Sequence, residues 1–248
     1  MPNAKYSQKD FSAEPESGEW TSVQPIVRSR PERRTIPVGA LEYHLFSPQR
    51  ARDPLLEQAY ELWHDVWRAT FEELDGAAEL FSDEFCRQDE IGVLATGGCC
   101  LSVTGIRWLD MSLARARSDS YFRHWPREAI EKLGRGLVLV TSNTVVHPDW
   151  RGSMIAPPRE LAEVEPSRLA FTTIAMSIRR LLASPAESAT GLSRNDRAMD
   201  RVSIGLGGVA IGRIRLHGED TNVMHFPRSL AKPEGPVVDH LWSRRHQG

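Results

Sequence analysis

The sequence predicts a single α/β domain, a twisted mixed β-sheet flanked by helices. Three observations predict it. A long amphipathic helix pattern occupies residues 54–74, with apolar residues at three- and four-residue spacing. The run Leu137-Val-Leu-Val-Thr-Ser-Asn-Thr-Val-Val146 is rich in apolar and β-branched residues and reads as a central strand. Shorter strand and helix patterns alternate on either side of it, and 248 residues leave room for one good-sized domain.

Residues 1–38 mix charges, Ser and Pro without a sustained period and read as a flexible arm. Trp20, Val23, Ile26 and Val27 are its docking residues should it act as a lid or an oligomer arm, which leaves oligomerisation open. Removing the arm is expected to leave the thermal midpoint nearly unchanged. The folded domain is expected over 39–230, with a tail at 231–248.

Within the domain, Leu41–Phe46 alternates as a first strand. Asp53 is a good N-cap, Pro54 suits the first helical position, and Gly76 suits the end of the helix. Leu56, Ala59, Tyr60, Trp63, Val66, Trp67, Thr70, Phe71 and Leu74 form its stripe. A short helix is expected over Ala78–Cys86, with a solvated acidic face at Asp83, Glu84, Asp89 and Glu90. Two strands, Ile91–Thr96 and Cys100–Leu109, join at Gly97-Gly98, a hairpin signal. Residues 120–133 are partly helical and interrupted at Pro126. A Pro-rich spacer from Ser153 to Pro166 leads to a helix capped by Ser167. A short strand at Ala189–Ser193 and a helix capped by Asn195 follow. Two strands turning at His217 complete the domain.

Composition excludes several classes. With 40% apolar and 26% charged residues, the chain reads as a soluble globular protein. A formal net charge of -2 gives no general pull toward nucleic acid or an anionic membrane. No apolar run approaches the ~18 residues of a spanning helix, and the polar N-terminus does not read as a secretory signal. Cys86, Cys99 and Cys100 make a poor disulfide framework, so a reducing cytoplasm is the expected compartment. The histidines include no His-x-x-x-His pair, and no metal site is expected.

Chemistry concentrates after the central strand. Pro148 stops it, and Trp150-Arg151-Gly152 opens a turn toward a helix. Backbone N–H groups, a helix N-terminus and a guanidinium there suit an anion. Ser142 and Asn143 are hydrogen-bonding residues on a strand whose apolar neighbours point elsewhere, and His147 is the one imidazole on this segment, the side-chain type suited to moving a proton. Arg107, inside an apolar strand, needs a partner; a substrate carboxylate and a structural acid are both open to it.

The Val-Val-His-Pro-Asp-Trp-Arg-Gly run and the element order over roughly 40–228 resemble the GNAT acyltransferase superfamily. Asn195-Asp-Arg-Ala198 up to Leu206-Gly207 resembles its closing helix. Trp63 to Trp67, the acidic segment Asp83 to Glu90, and Gly105-Ile-Arg107 resemble the branch of acyl-homoserine-lactone synthases and N-acyl amino acid synthases. The resemblance implies N-acyl transfer from an acyl thioester, on CoA or acyl-carrier protein, to a small amine such as an amino acid. It places the donor at Val145, Val146, Arg151, Gly152, Ser153 and Asn195. Trp67, Arg107 and Thr141 fall on the substrate side, and Ser142, Asn143 and His147 are the catalytic set.

Departures are visible as well. The loop lacks the usual glycine pattern before its helix, and Glu163 and Glu165 near that helix would repel a pyrophosphate. The general-acid Tyr common in the closing helix is absent, with Val202 and Ser203 near its place. The Glu of the lactone-synthase branch aligns with Val140. A lactone-type signal synthase, or a catalytically silent module that binds a ligand or partner, are the alternatives.

Overall fold

The computed structural model describes residues 34–50, 52–76, 83–195, 198–233 and 235–247. The expected arm lies outside the described residues up to residue 33.

The apolar run around Leu139 forms strand β5 (Leu137–Val146) in the middle of the main sheet. Among the described residues that sheet has eight strands, in the order β11 (His246–Gln247), β2 (Leu41–Phe46), β3 (Glu90–Thr96), β4 (Cys99–Asp110), β5, β8 (Ser188–Arg194), β10 (Glu219–Pro227) and β9 (Val209–Leu216). Neighbours are antiparallel except at β11–β2 and β5–β8. Gly97 and Gly98, at φ 54° and 77°, supply the left-handed turn of the β3–β4 hairpin.

One face is covered by α5 (Leu169–Leu182) and α7 (Pro236–Ser243), over a core that includes Tyr43, Leu101, Leu139 and Ile178. The opposite face carries α1 (Pro54–Asp75) and α2 (Asp83–Cys86), with Trp63, Phe85 and Val145 between them. Beside these, α3 (Ala114–Arg117) and α4 (Arg127–Lys132) share a cluster holding Phe122, Trp125, Val138 and Val140. The last helix, α6 (Met199–Gly205), packs on β8 and β10. No described helix is long and apolar enough to cross a membrane.

α1 has the ends its sequence indicates. The Asp53 carboxylate accepts the Leu55 N–H at 2.8 Å, Pro54 opens the helix, and Gly76 closes it at φ 71°. Its stripe is buried through Trp63 but only half-buried at Val66, Trp67 and Phe71. That overhanging end is tied to the β9–β10 turn: His217 Nδ1 lies 2.5 Å from Asp75, and Phe71 packs on the His217 ring.

Several sequence expectations change. The Pro-rich spacer is an excursion that returns on itself. β6 (Met154–Ala156) pairs with β7 (Ser167–Arg168) and with β1 (Thr35–Pro37), forming a small second sheet. Ser167 is held in that pairing and bonds to Thr172, so α5 starts at Leu169 behind Arg168, without a side-chain cap. Asn195 does not cap α6 either. Its N–H is taken by Asp220 O at the end of β8, and α6 starts at Met199 behind Ala198, at φ 53°. Of the helix expected from Ala78, only α2 falls within the described residues.

The residues beyond 230, expected as a tail, include α7 and β11, because Val237, Val238, Leu241 and Trp242 are buried against β2 and α5. Chain order begins earlier than residue 39 too, since Ile36 and Val38 are 5% and 2% exposed in the main core. Burial of each is worth about 1.5–3 kcal/mol. Deletion through residue 38 is therefore expected to lower the thermal midpoint by roughly 6–24 °C in a domain of this size. A deletion ending at residue 33 keeps both side chains. Thermal unfolding of the two truncations checks this; equal midpoints would show that Ile36 and Val38 carry no stability.

Candidate functional site

The site is built around an irregularity in β5. Opposite β4, Val145 pairs with Val103 and Ser142 with Gly105, so two residues, Asn143 and Thr144, face the single residue Thr104. This is a β-bulge, and Asn143 takes φ 54° to make it. Asn tolerates the left-handed region better than a branched residue. Thr104 Oγ1 meets Thr144 Oγ1 at 2.9 Å and Thr141 Oγ1 at 3.4 Å, which holds the bulge from below. Ser142 and Asn143 both line the opposite face, where Ser142 Oγ donates to Gln88 Oε1 at 3.2 Å. Gln88 is buried and in turn bonds to the Glu84 carbonyl at 2.9 Å.

Parallel pairing of β5 with β8 ends at Val140 and Thr190. From Thr141 to Val146 the β8-facing edge of β5 has no strand partner among the described residues, which leaves a notch in the sheet. At its closed end Gly191 abuts Thr141; a Cβ there would sit 2.9 Å from the Thr141 carbonyl oxygen.

On the α1 side lies a cavity of about 230 Å³. Ser142 and Asn143 enter it from β5, Leu192 from β8, Glu84, Arg87 and Gln88 from α2 and its end. Ser120, Tyr121, Arg123, His124 and Trp125 come from the segment before α4, and His217 from the β9–β10 turn. Two buried donors, the Tyr121 hydroxyl and Trp125 Nε1, have no hydrogen-bond partner of sound geometry among the described residues. Burial pushes the Tyr121 phenol above its ordinary range, against the opposing pull of Arg107 and of the nearby Leu192 backbone, so it stays protonated as a donor. Arg123 Nε donates to His124 Nε2 at 2.9 Å, and Arg87 lies 3.5 Å from Glu84. The cavity thus presents more cationic than anionic groups.

Arg107 borders this cavity with its partner already in place. Its two terminal nitrogens bond to Asp119 at 3.2 and 2.7 Å, and both side chains are under a fifth exposed. Its hydrogen bonds to Asp119 raise the guanidinium pKa despite burial. Asp119 also accepts the Tyr121 N–H at 2.9 Å, so the pair fixes the turn that carries Tyr121. Of the acidic cluster, Glu84 and Asp89 are exposed, as the sequence indicates, whereas Glu90 is partly buried. Glu90 takes both Arg180 nitrogens at 2.8 and 2.7 Å, and Asp89 accepts the Trp108 N–H at 2.7 Å.

A second groove, of about 500 Å³, lies at α5, α6 and α7. Arg168 lines it from β7, Phe171 from α5, Arg201 and Val202 from α6, and Pro236 to Val238 from α7, with Glu165 at its rim. The Arg-Gly turn is close to α5 despite the excursion, because the Leu169 N–H bonds to the Ser153 carbonyl at 3.0 Å. Gly152 adopts φ 84° and exposed Arg151 bonds back to the Val146 carbonyl at 3.4 Å.

The predicted site residues therefore divide. Ser142, Asn143 and Arg107 meet in the cavity, while Thr141, Val145 and Val146 lie along the notch or under α1. His147 Nδ1 accepts the Asp149 N–H, serving the 148–150 turn, and is not in the cavity lining. Trp67 packs on Phe71 in α1, and Asn195 follows the end of β8. Tyr121, Trp125, Arg123 and Arg168 were missed. The aromatic and basic density of Ser-Tyr-Phe-Arg-His-Trp was the one sequence signal available for the first three.

No family model matches the sequence, and no curated protein matches it. Solved structures do match the fold. BjaI, a CoA-dependent acyl-homoserine lactone synthase, in complex with SAM and isopentyl-CoA, superposes at a TM-score of 0.51. The match is 13% identical and covers 84% of this chain and 93% of that one. Its complex with MTA gives 14% identity over the same shares, also at 0.51. FeeM, an N-acyl amino acid synthase from uncultured soil microbes, matches at 13% identity and 0.49, covering 83% of this chain and 95% of that chain. At such identities the likeness to BjaI establishes the fold alone, an α/β arrangement.

Proposed function

We propose that this protein transfers an acyl group from a thioester to the amine of a small, anionic metabolite such as an amino acid. The observation that carries the reading is the bulged, half-unpaired β5, with a small cationic cavity on one side and an arginine-flanked groove on the other. The cavity suits one small metabolite, being smaller than the roughly 300–1,000 Å³ of sites for drug-sized ligands. The fold shared with BjaI, whose complex holds isopentyl-CoA, supports CoA as donor; a carrier-protein thioester presents the same reacting group.

In this reading the acceptor amine attacks the thioester carbon across the notch. A C–N bond forms, the C–S bond breaks, and the thiolate takes the proton that the amine loses. Free β5 N–H groups, with the Tyr121 hydroxyl, stabilise the developing oxyanion. Positioning supplies much of the remaining acceleration. The base missing from the strand has a counterpart in Glu84, which lines the cavity and can relay the amine proton, through water, to the leaving thiolate. Arg87 and Arg123 attract the acceptor carboxylate, with Arg107 set beside them by Asp119.

A panel of acyl-CoA and acyl-carrier thioesters against amino acids and matching amines tests the activity. Turnover of amino acids above the amines is expected. No turnover with any pair would leave the silent binding module as the better reading. For the donor, Arg168→Ala and Arg201→Ala are each expected to weaken CoA binding about tenfold, the scale of one charge-assisted contact. Arg151→Ala should weaken it less, since Arg151 does not line the groove. Calorimetry on the three variants checks this; a loss confined to Arg151→Ala would move the phosphate anchor to the turn after β5.

A further inference from the structure

At the outer edge of the main sheet, far along the strand order from the notch, three metal-ligating side chains converge. Strand periodicity puts Glu42 and His44, two residues apart on β2, on one face of the sheet. The parallel register of β11 sets His246 directly beside His44 on the next strand. The two imidazoles stack with centroids 4.6 Å apart and planes 19° from parallel, and His44 Nε2 lies 3.1 Å from Glu42 Oε2. One ligand atom from each of the three residues lies within 4.8 Å of the other two. Two hundred residues separate the histidines, so no spacing motif could announce them; sheet pairing alone brings them together.

We propose that Glu42, His44 and His246 bind a zinc-class divalent cation. The donor set is two imidazole nitrogens and one carboxylate oxygen, which suits Zn²⁺ or Co²⁺ over the oxygen-seeking Ca²⁺ and Mg²⁺. Bonds of about 2.0–2.1 Å place tetrahedral ligands roughly 3.3 Å apart. The His44–Glu42 separation already matches that edge, and the remaining ones close by rotation of the exposed Glu42 and His246 side chains toward the partly buried His44. Water completes the fourth position. The site stands apart from the acyl-transfer reading, since none of its residues lines the cavity or the groove.

Occupancy has a structural consequence. β11 is only two residues long and holds the end of the described chain through two register pairs. A cation bridging β2 and β11 closes that pairing with bonds far stronger than a frayed edge supplies. α7 immediately precedes β11 and walls the groove with Pro236, Val237 and Val238, so the cation also restrains that wall.

The test uses the full, untagged chain freed of metal by chelator. Titration with Zn²⁺ alone is expected to give one saturable site, a higher thermal midpoint, and slower amide exchange over residues 242–247. His246→Ala and His44→Gln should each weaken binding roughly tenfold or more and abolish the exchange protection. Two different variants guard against one that fails to fold. Co²⁺ should give visible ligand-field bands without sulfur charge transfer, which separates this site from Cys86, Cys99 and Cys100. Absence of saturable binding overturns the proposal. So does Zn²⁺ affinity unchanged in both histidine variants, or a sulfur-ligated Co²⁺ spectrum.

Discussion

Tyr121→Phe is expected to lower kcat about a hundredfold while leaving the protein as stable as before or more so. The magnitude follows from removing one donor aimed at a developing oxyanion, which costs ~10²–10³ in rate. The sign of the stability change follows from the unpartnered state of the hydroxyl: a buried polar group left unsatisfied costs about 1–3 kcal/mol, and phenylalanine removes that cost. The two readouts together are the check, kcat at saturating donor and acceptor and the thermal midpoint. A lower midpoint with unchanged kcat would take Tyr121 out of the reaction and make it an ordinary packing residue.

Asp119→Ala carries the second large effect, this time on stability. The carboxylate satisfies both terminal nitrogens of Arg107 and the N–H of Tyr121, and its loss leaves a largely buried guanidinium unpaired. Breaking a fully buried pair costs 3–5 kcal/mol, so allowing for solvent screening here the loss is roughly 2 kcal/mol, or about 4–8 °C in midpoint. Burial alone would raise the Asp119 pKa, but the hydrogen bonds from Arg107 and the Tyr121 N–H outweigh it and hold the carboxyl below its usual value. A depressed carboxyl contributes stability that is complete above the unfolded pKa of about 3.9 and is lost as pH falls through the folded one. The gap between wild type and variant should therefore be full at pH 6 and shrink below pH 4. Thermal unfolding across that range checks it; a gap independent of pH would mean the ion pair is not its source. Arg107→Lys, which keeps charge but loses the fork, should cost stability and slow amino acids and simple amines alike.

How much the sequence disclosed depended on whether the signal was local. α1 was legible at both ends because Asp53, Pro54 and Gly76 each act on their own backbone. The β3–β4 hairpin was legible for the same reason, at Gly97-Gly98. Caps failed where tertiary pairing claimed the residue first, as at Ser167 in β7 and Asn195 at Asp220. The end of the chain was misread because β11 makes sense only beside β2, and a two-residue strand has no period of its own. The site was half legible. Ser142 and Asn143 stood out as polar residues on an apolar strand, whereas Tyr121, Arg123 and Trp125 sit in irregular backbone whose position is set by the Asp119 to Arg107 bond. An Arg inside a strand announced that a partner existed without naming it.

Asn143 is, by the count of the sheet, a surplus residue. Strike it out and Thr144 stands directly opposite Thr104, with Val145 under α1 and Val146 toward α5 as they are now. Every other side chain of the strand keeps its face. Sheet stability therefore does not call for this residue, and a one-codon deletion here would be invisible to the core. It would straighten β5, allow the ladder with β8 to run on past Val140, and close the slit the thioester is proposed to enter. The strand thus holds open, with a single dispensable link, a seam that its hydrogen bonds would otherwise sew shut.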